Sequence, residues 1–126
     1  MAKEIIHTDQ APAAVGAYSQ AVKAGNTVYL SGQIAIDPET QEIINGGVEE
    51  QAKRVLKNLK AVLAAADCTF KDVVKSEIFL DDINDFSAVN DIYAEYFKEE
   101  PPARACVEVG SLPKGVAVEI SLVAVK

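Results

Sequence analysis

The sequence predicts an α+β domain: one β-sheet with two helices covering one of its faces. Apolar residues recur at helical spacing between Val48 and Ala66, and again between Asp85 and Phe97. The segments around these two stretches are short, β-branched or aromatic, and set apart by turn residues.

Each element has its own local cause. Glu4 to His7 is a short first strand if it pairs, and Asp9 to Ala17, with Pro12 and Gly16, reads as a loop. Tyr18 to Lys23 and Thr27 to Ser31 flank Ala24-Gly25-Asn26, a hairpin signal. Along the first helix Val48, Ala52, Val55, Leu56, Leu59, Val62, Leu63 and Ala66 form one stripe, with Glu49, Glu50, Lys53, Lys57 and Lys60 off it. Val73 to Leu80 is a strand. The second helix carries Phe86, Val89, Tyr93 and Tyr96 or Phe97, with Asn84 or Asp82 as its cap and Pro101-Pro102 as a stop beyond it. Two last strands, Ala103 to Val109 and Val116 to Val125, are joined by a Gly110-to-Gly115 loop that permits an antiparallel pair.

Alternation assigns faces to those two strands. Ala105, Val107 and Val109 share one face of the first, and Arg104, Cys106 and Glu108 the other. In the second, Val118, Ile120, Leu122 and Ala124 oppose Ala117, Glu119, Ser121, Val123 and Val125. The cleanly apolar faces are expected to take the helices. The mixed faces, with an arginine and a glutamate among small and branched groups, fit burial against other subunits with charge kept at a cleft.

A chain of 126 residues is sized for one domain, spanning 1–126, and its 49% hydrophobic content is ordinary for a globular protein. The formal net charge of −7, with no basic cluster, disfavours nucleic acid as a partner. No apolar run approaches the roughly 20 residues that span a bilayer, and the N-terminus shows no signal pattern, so no membrane association is expected. Cys68 and Cys106, far apart and outside any CxxC, read as free thiols in a cytoplasmic protein. One histidine, His7, and no clustered carboxylates leave no metal site. Without GxGxxG or a phosphate loop, no cofactor is expected.

What remains is a set of polar residues that a sheet does not need. Arg104 opens a strand after two prolines, and its planar fork suits a carboxylate through two parallel hydrogen bonds. Glu119, on the next strand and the corresponding face, can hold a water and take its proton. Spacing alone favours a cross-strand ion pair between the two, since such pairs are common in sheets.

A wider pattern bears on that choice. Pro102-Ala103-Arg104-Ala105-Cys106-Val107-Glu108-Val109, Gly110-Ser111-Leu112-Pro113 and Val118-Glu119-Ile120 together resemble the C-terminal signature of the RidA (YjgF) family. Ala11-Pro12, Gly16 to Val22, Val28 to Ile34, Phe79 to Asp82, Asp85-Phe86, Asn90, Tyr93 and Phe97 continue the resemblance, in order, over nearly the whole chain. It implies a chorismate-mutase-like fold, a single mixed sheet with two helices on one face, assembled as a homotrimer with active sites between subunits. It implies hydrolytic deamination of 2-iminobutanoate and 2-iminopropanoate, without a cofactor. In that family the match to Arg104 binds the substrate carboxylate and the match to Glu119 orients the water. Tyr18, Ser31, Gly32, Asn90 and Cys106 match positions lining the cleft, Cys106 through its backbone amide. The family usually has proline where this chain has Ala17, which would loosen the loop before Tyr18. Two other functions attach to the family: a carboxylate-binding or chaperone-like trimer without turnover, and a ribonuclease or translation inhibitor. A second negative charge beside a pure carboxylate site gains little, and the acidic balance opposes RNA.

Overall fold

Hydrogen bonds join six strands into one mixed sheet that the helices cover on a single side. The computed structural model describes residues 2–126. In chain order the elements are β1 (Glu4–Ile6), β2 (Ala21–Ala24), β3 (Thr27–Gln33), β4 (Ile36–Asp37), β5 (Glu42–Ile43), α1 (Val48–Ala65), β6 (Val73–Leu80), α2 (Phe86–Ala94), β7 (Ala103–Glu108) and β8 (Val118–Val125). The sheet runs β1-β2-β3-β8-β6-β7, and β4 and β5 form a separate two-stranded hairpin that the sequence did not suggest.

Helix α1 buries the stripe its periodicity predicts: Ala52, Val55, Leu56, Leu59, Val62 and Leu63 are inaccessible to water. They meet Val118, Ile120, Leu122 and Ala124 of β8, the alternate residues assigned to the helix side. Each large side chain so buried contributes about 1.5–3 kcal/mol. Asn58 is buried within this stripe, donating to the carbonyls of Ile34 and Ile36 at 3.3 and 2.9 Å and so pinning β4 to the helix. Helix α2 begins after a 3-10 turn, Ile83–Asp85, capped by Asp82, whose carboxylate accepts from the Asn84 amide at 2.9 Å. The helix ends at Ala94, so Tyr96 and Phe97 lie beyond it, where both rings stand 5.1 Å from that of Phe70.

Two expectations about the last strands are overturned. β7 and β8 do not form a hairpin: β7 pairs in parallel with β6, while β8 lies antiparallel between β3 and β6. The loop joining them clasps the end of β6, with Val109 N–H donating to Leu80 and Asp81 N–H to Ala117. A strand carrying Arg104 and Glu108 on one face suits an edge, whereas β8, apolar on every second residue, fills the middle. The faces of β7 are also the reverse of those assigned. Register places Arg104, Cys106 and Glu108 beside the buried Ser76, Ile78 and Leu80, on the helix side. Ala105 and Val107 look away from the helices. The polar groups on the helix side are used locally, Glu108 accepting from the Ile83 amide at 2.9 Å.

The reversal leaves the open face more apolar than the sequence suggested. Tyr29, Val107 and Val125 are 54%, 46% and 42% exposed on it.

Candidate active site

Glu119 projects from β8 onto the open face, opposite Phe79 of β6. Beside it β3 is irregular: the register with β8 shifts between Leu30 and Gln33, and Gly32 falls in that break. The Glu119 carboxylate occupies the space a side chain on Gly32 would need. Burial pushes its pKa above the usual carboxylate range. Among the described residues it has no ion-pair partner. Ser31 sits in the same irregularity, its hydroxyl donating to the Ser19 carbonyl at 2.6 Å and its amide to the Gln20 carbonyl at 3.0 Å. Its side chain ties β3 to the segment before β2.

That segment brings in Tyr18, whose ring is 53% exposed. Tyr18 N–H donates to the Gly16 carbonyl at 3.0 Å, closing a three-residue turn centred on Ala17. Behind it, Gln20 is 2% exposed. Its amide accepts from Thr8 N–H at 2.7 Å and donates to the Thr8 and Pro12 carbonyls at 2.9 and 2.8 Å. Gln41 accepts from the Ala13 amide at 3.1 Å, holding the loop to the small hairpin. The loop is therefore anchored on both sides of Ala17 without the family's proline. Tyr18, Gly32 and Glu119 line a cavity of about 430 Å³ with Pro12, Val15 and Lys114 among its walls.

Arg104 belongs to a second cavity, of about 420 Å³, shared with Asn90, Tyr93, Pro101 and Pro102. Its Nη1 donates to Asn90 Oδ1 at 2.7 Å. Its guanidinium carbon stands 5.4 Å from the Phe86 ring centroid and 5.1 Å from that of Tyr93. Cys106 follows on the same face of β7 and packs against the core. Burial raises its thiol pKa, outweighing the pull of the nearby Arg104 guanidinium, so the group favours the unreactive protonated form.

The two charged residues therefore do not share a face. Strand β6 separates β7 from β8, and Arg104 pairs with Ser76 on the helix side while Glu119 pairs with Phe79 on the open side. The expectation of corresponding faces is corrected, and a cross-strand ion pair within the chain goes with it. The structure groups Tyr18, Ser31, Gly32 and Glu119 in one place, and Asn90, Arg104 and Cys106 in another. Three residues that sequence reading did not single out for the site belong to it. Gln20 holds the Tyr18 loop, while Phe86 and Tyr93 flank Arg104. Only Phe86 and Tyr93 left a signal, their spacing with Asn90 along one helix stripe.

Among the described residues no three metal-ligating side chains come together, and no helix is long and apolar enough to cross a membrane.

Comparison with known proteins agrees with this architecture. A family model described as Endoribonuclease L-PSP matches residues 8–126. A RutC family protein of Pyrococcus abyssi is 52% identical over 126 residues, covering 100% of this chain and 99% of its own. The 2-iminobutanoate/2-iminopropanoate deaminase of Rattus norvegicus is 52% identical over 124 residues, covering 98% of this chain and 90% of the rat protein. The crystal structure of E. coli TdcF with bound serine superposes with a TM-score of 0.92 at 41% identity, covering 98% of each chain. Matched from Thr8 to Lys126 by the family model and along its whole length by relatives at about half identity, the chain belongs to the RidA family, whose model carries the description Endoribonuclease L-PSP.

Proposed function

We propose that the protein hydrolyses 2-imino acids, 2-iminobutanoate and 2-iminopropanoate, to 2-keto acids and ammonia. The observation that carries this is the state of its two unpaired charges: a half-buried carboxylate with a raised pKa, and a guanidinium held only by neutral groups. Two relatives support it. The rat protein is named for this reaction, and TdcF binds serine, which presents a carboxylate beside a nitrogen-bearing carbon.

The chemistry asks little more of the protein. A protonated imine is already electrophilic at carbon, so water can add without a covalent nucleophile. Arg104 grips the substrate carboxylate through two N–H donors and fixes the carbon. Glu119 accepts a proton from water as the C–O bond forms. Glu119 returns that proton to nitrogen, and as the C–N bond breaks it takes the remaining hydroxyl proton, so that ammonia leaves and the C=O of the keto acid forms. Tyr18 and Gly32 shape the water side of the cleft, and Ser31 and the Cys106 backbone amide contribute to its lining.

Because the sheet stands between Arg104 and Glu119, one chain offers two half-sites. A homotrimer packed through the apolar open face completes them, the Glu119 half of one subunit meeting the Arg104 half of its neighbour. The partners are then small 2-imino and 2-keto acids and further copies of this chain. The expected setting is the cytoplasm.

The test couples an amino-acid oxidase or a threonine dehydratase to the protein. Keto acid release faster than in the protein-free control supports the reading. Unchanged release with tight keto acid binding establishes a carboxylate-binding trimer without turnover. The family description also names an endoribonuclease, but a net charge of −7 opposes RNA, and absence of cleavage at low salt excludes that activity.

A further inference from the structure

We propose that helix α2 is a preset cradle for the Arg104 guanidinium, in which Phe86, Asn90 and Tyr93 act as positioning residues that orient the charge without neutralising it. The proposal rests on reading Arg104 as the carboxylate anchor.

The three residues stand at i, i+4 and i+7, one stripe of a helix, and all three meet the same side chain. Their division of labour comes from their chemistry. The rings of Phe86 and Tyr93, with centroids 5.4 and 5.1 Å from the guanidinium carbon, attract the cation through their quadrupoles. The Asn90 amide oxygen takes one N–H, at 2.7 Å, which sets the rotation of the group. A guanidinium has five donors, so a single amide leaves enough of the fork free for a bidentate grip.

Tyr93 is itself fixed. Its hydroxyl lies 2.6 Å from Ser76 Oγ in a buried bond, and its ring stacks on Phe97 with centroids 4.4 Å apart. The cradle is therefore built into the core and does not have to form when substrate arrives. An exposed arginine on an edge strand would otherwise sample many rotamers, and each binding event would have to freeze them.

Neutral partners matter as much as rigidity. An aspartate at position 90 has the same shape and would bond Arg104 more strongly. It would also cancel the charge and repel an incoming carboxylate.

The experiment titrates 2-oxobutanoate into the wild-type protein and into N90D, F86L, F86Y and R104A. Steady-state hydrolysis of 2-iminobutanoate and thermal unfolding are measured on the same samples. N90D is expected to stay folded, weaken keto acid binding by about 10-fold or more and raise KM correspondingly, with kcat nearly unchanged. F86L should raise KM roughly 2- to 30-fold, and F86Y, which keeps the ring, should restore it. Wild-type affinity in N90D and F86L, alongside loss of binding in R104A, overturns the cradle and leaves the anchor standing. So does a fall in melting temperature without any change in affinity. Unchanged binding in R104A removes the anchor, and the cradle with it.

Discussion

The carboxyl group of Glu119 lies against the bare α-carbon of Gly32: a Cβ there would fall 2.9 Å from Glu119 Cδ and 3.1 Å from its Cγ. Gly32 does not occupy the left-handed region, so glycine is required for close approach and not for backbone freedom. Gly32→Ala should therefore fold normally, since the obstructed atoms end a flexible side chain that can swing aside. It should lose at least about 10-fold in kcat, because the displaced carboxylate no longer reaches the water. Full activity in a folded Gly32→Ala protein would detach Glu119 from the reaction.

Glu119→Gln keeps the shape but cannot take a proton. Turnover should drop roughly 10²- to 10⁴-fold while keto acid affinity holds. Burial raises the Glu119 pKa, so the wild-type rate should fall as pH drops through a value above the ordinary carboxylate range, and the residual rate of the variant should lack that limb. The stability sign is opposite. A carboxyl with a raised folded-state pKa stabilises the fold below its unfolded value and loses that contribution as pH rises through the folded one. Glu119→Gln should thus melt higher than wild type at neutral pH, with the gap closing in acid.

Arg104→Ala should weaken 2-keto acid binding by about 30- to 1000-fold, the cost of a charge-assisted contact. Arg104→Lys should recover only part, since an ammonium has no two-pronged fork and fits the Phe86–Tyr93 slot poorly. Calorimetric titration of both variants checks the order. Equal affinity for the lysine and wild-type proteins would show that charge alone is recognised.

Ala17→Pro restores the residue usual in the family. Ala17 is the centre of a turn closed by Tyr18 N–H and Gly16 C=O, and its φ is not positive, a geometry proline adopts. The substitution should stabilise the fold by about 0.4–1 kcal/mol through the unfolded chain, with turnover unchanged. Denaturant unfolding measures the first, and a loss of stability would mean that the Ala17 turn differs from the proline geometry.

Val107→Glu places a charge on the open apolar face. Analytical ultracentrifugation should show a trimer for the parent and monomers for the variant, with loss of activity as the half-sites separate. An active monomer would confine the whole reaction to one chain.

The local elements were legible because their causes are local. The β6 run from Val73 to Leu80 announces a strand, and the α1 stripe from Ala52 to Leu63 and the alternation of Val118, Ile120, Leu122 and Ala124 each announce an element and its buried side. Of the residues that pattern resemblance picked out, Tyr18, Gly32 and Glu119 line one cavity and Asn90 and Arg104 the other, whereas Ser31 and Cys106 line neither. Strand order and facing were not legible, because a loop such as Gly110 to Gly115 is compatible with either a hairpin or a crossover. Alternation separates two faces without saying which one meets a helix. On β7 the more apolar set, Ala105 and Val107, faces away from the core, because α2 and the 3-10 turn before it meet the other side with Asn90, Phe86 and the Ile83 amide, groups that can satisfy Arg104 and Glu108. Pairing of β6 with both β7 and β8 thus placed Arg104 and Glu119 on opposite sides of the sheet. Only long-range packing could decide that, since strand position depends on which neighbours leave the fewest apolar groups wet and the fewest polar groups unpaired.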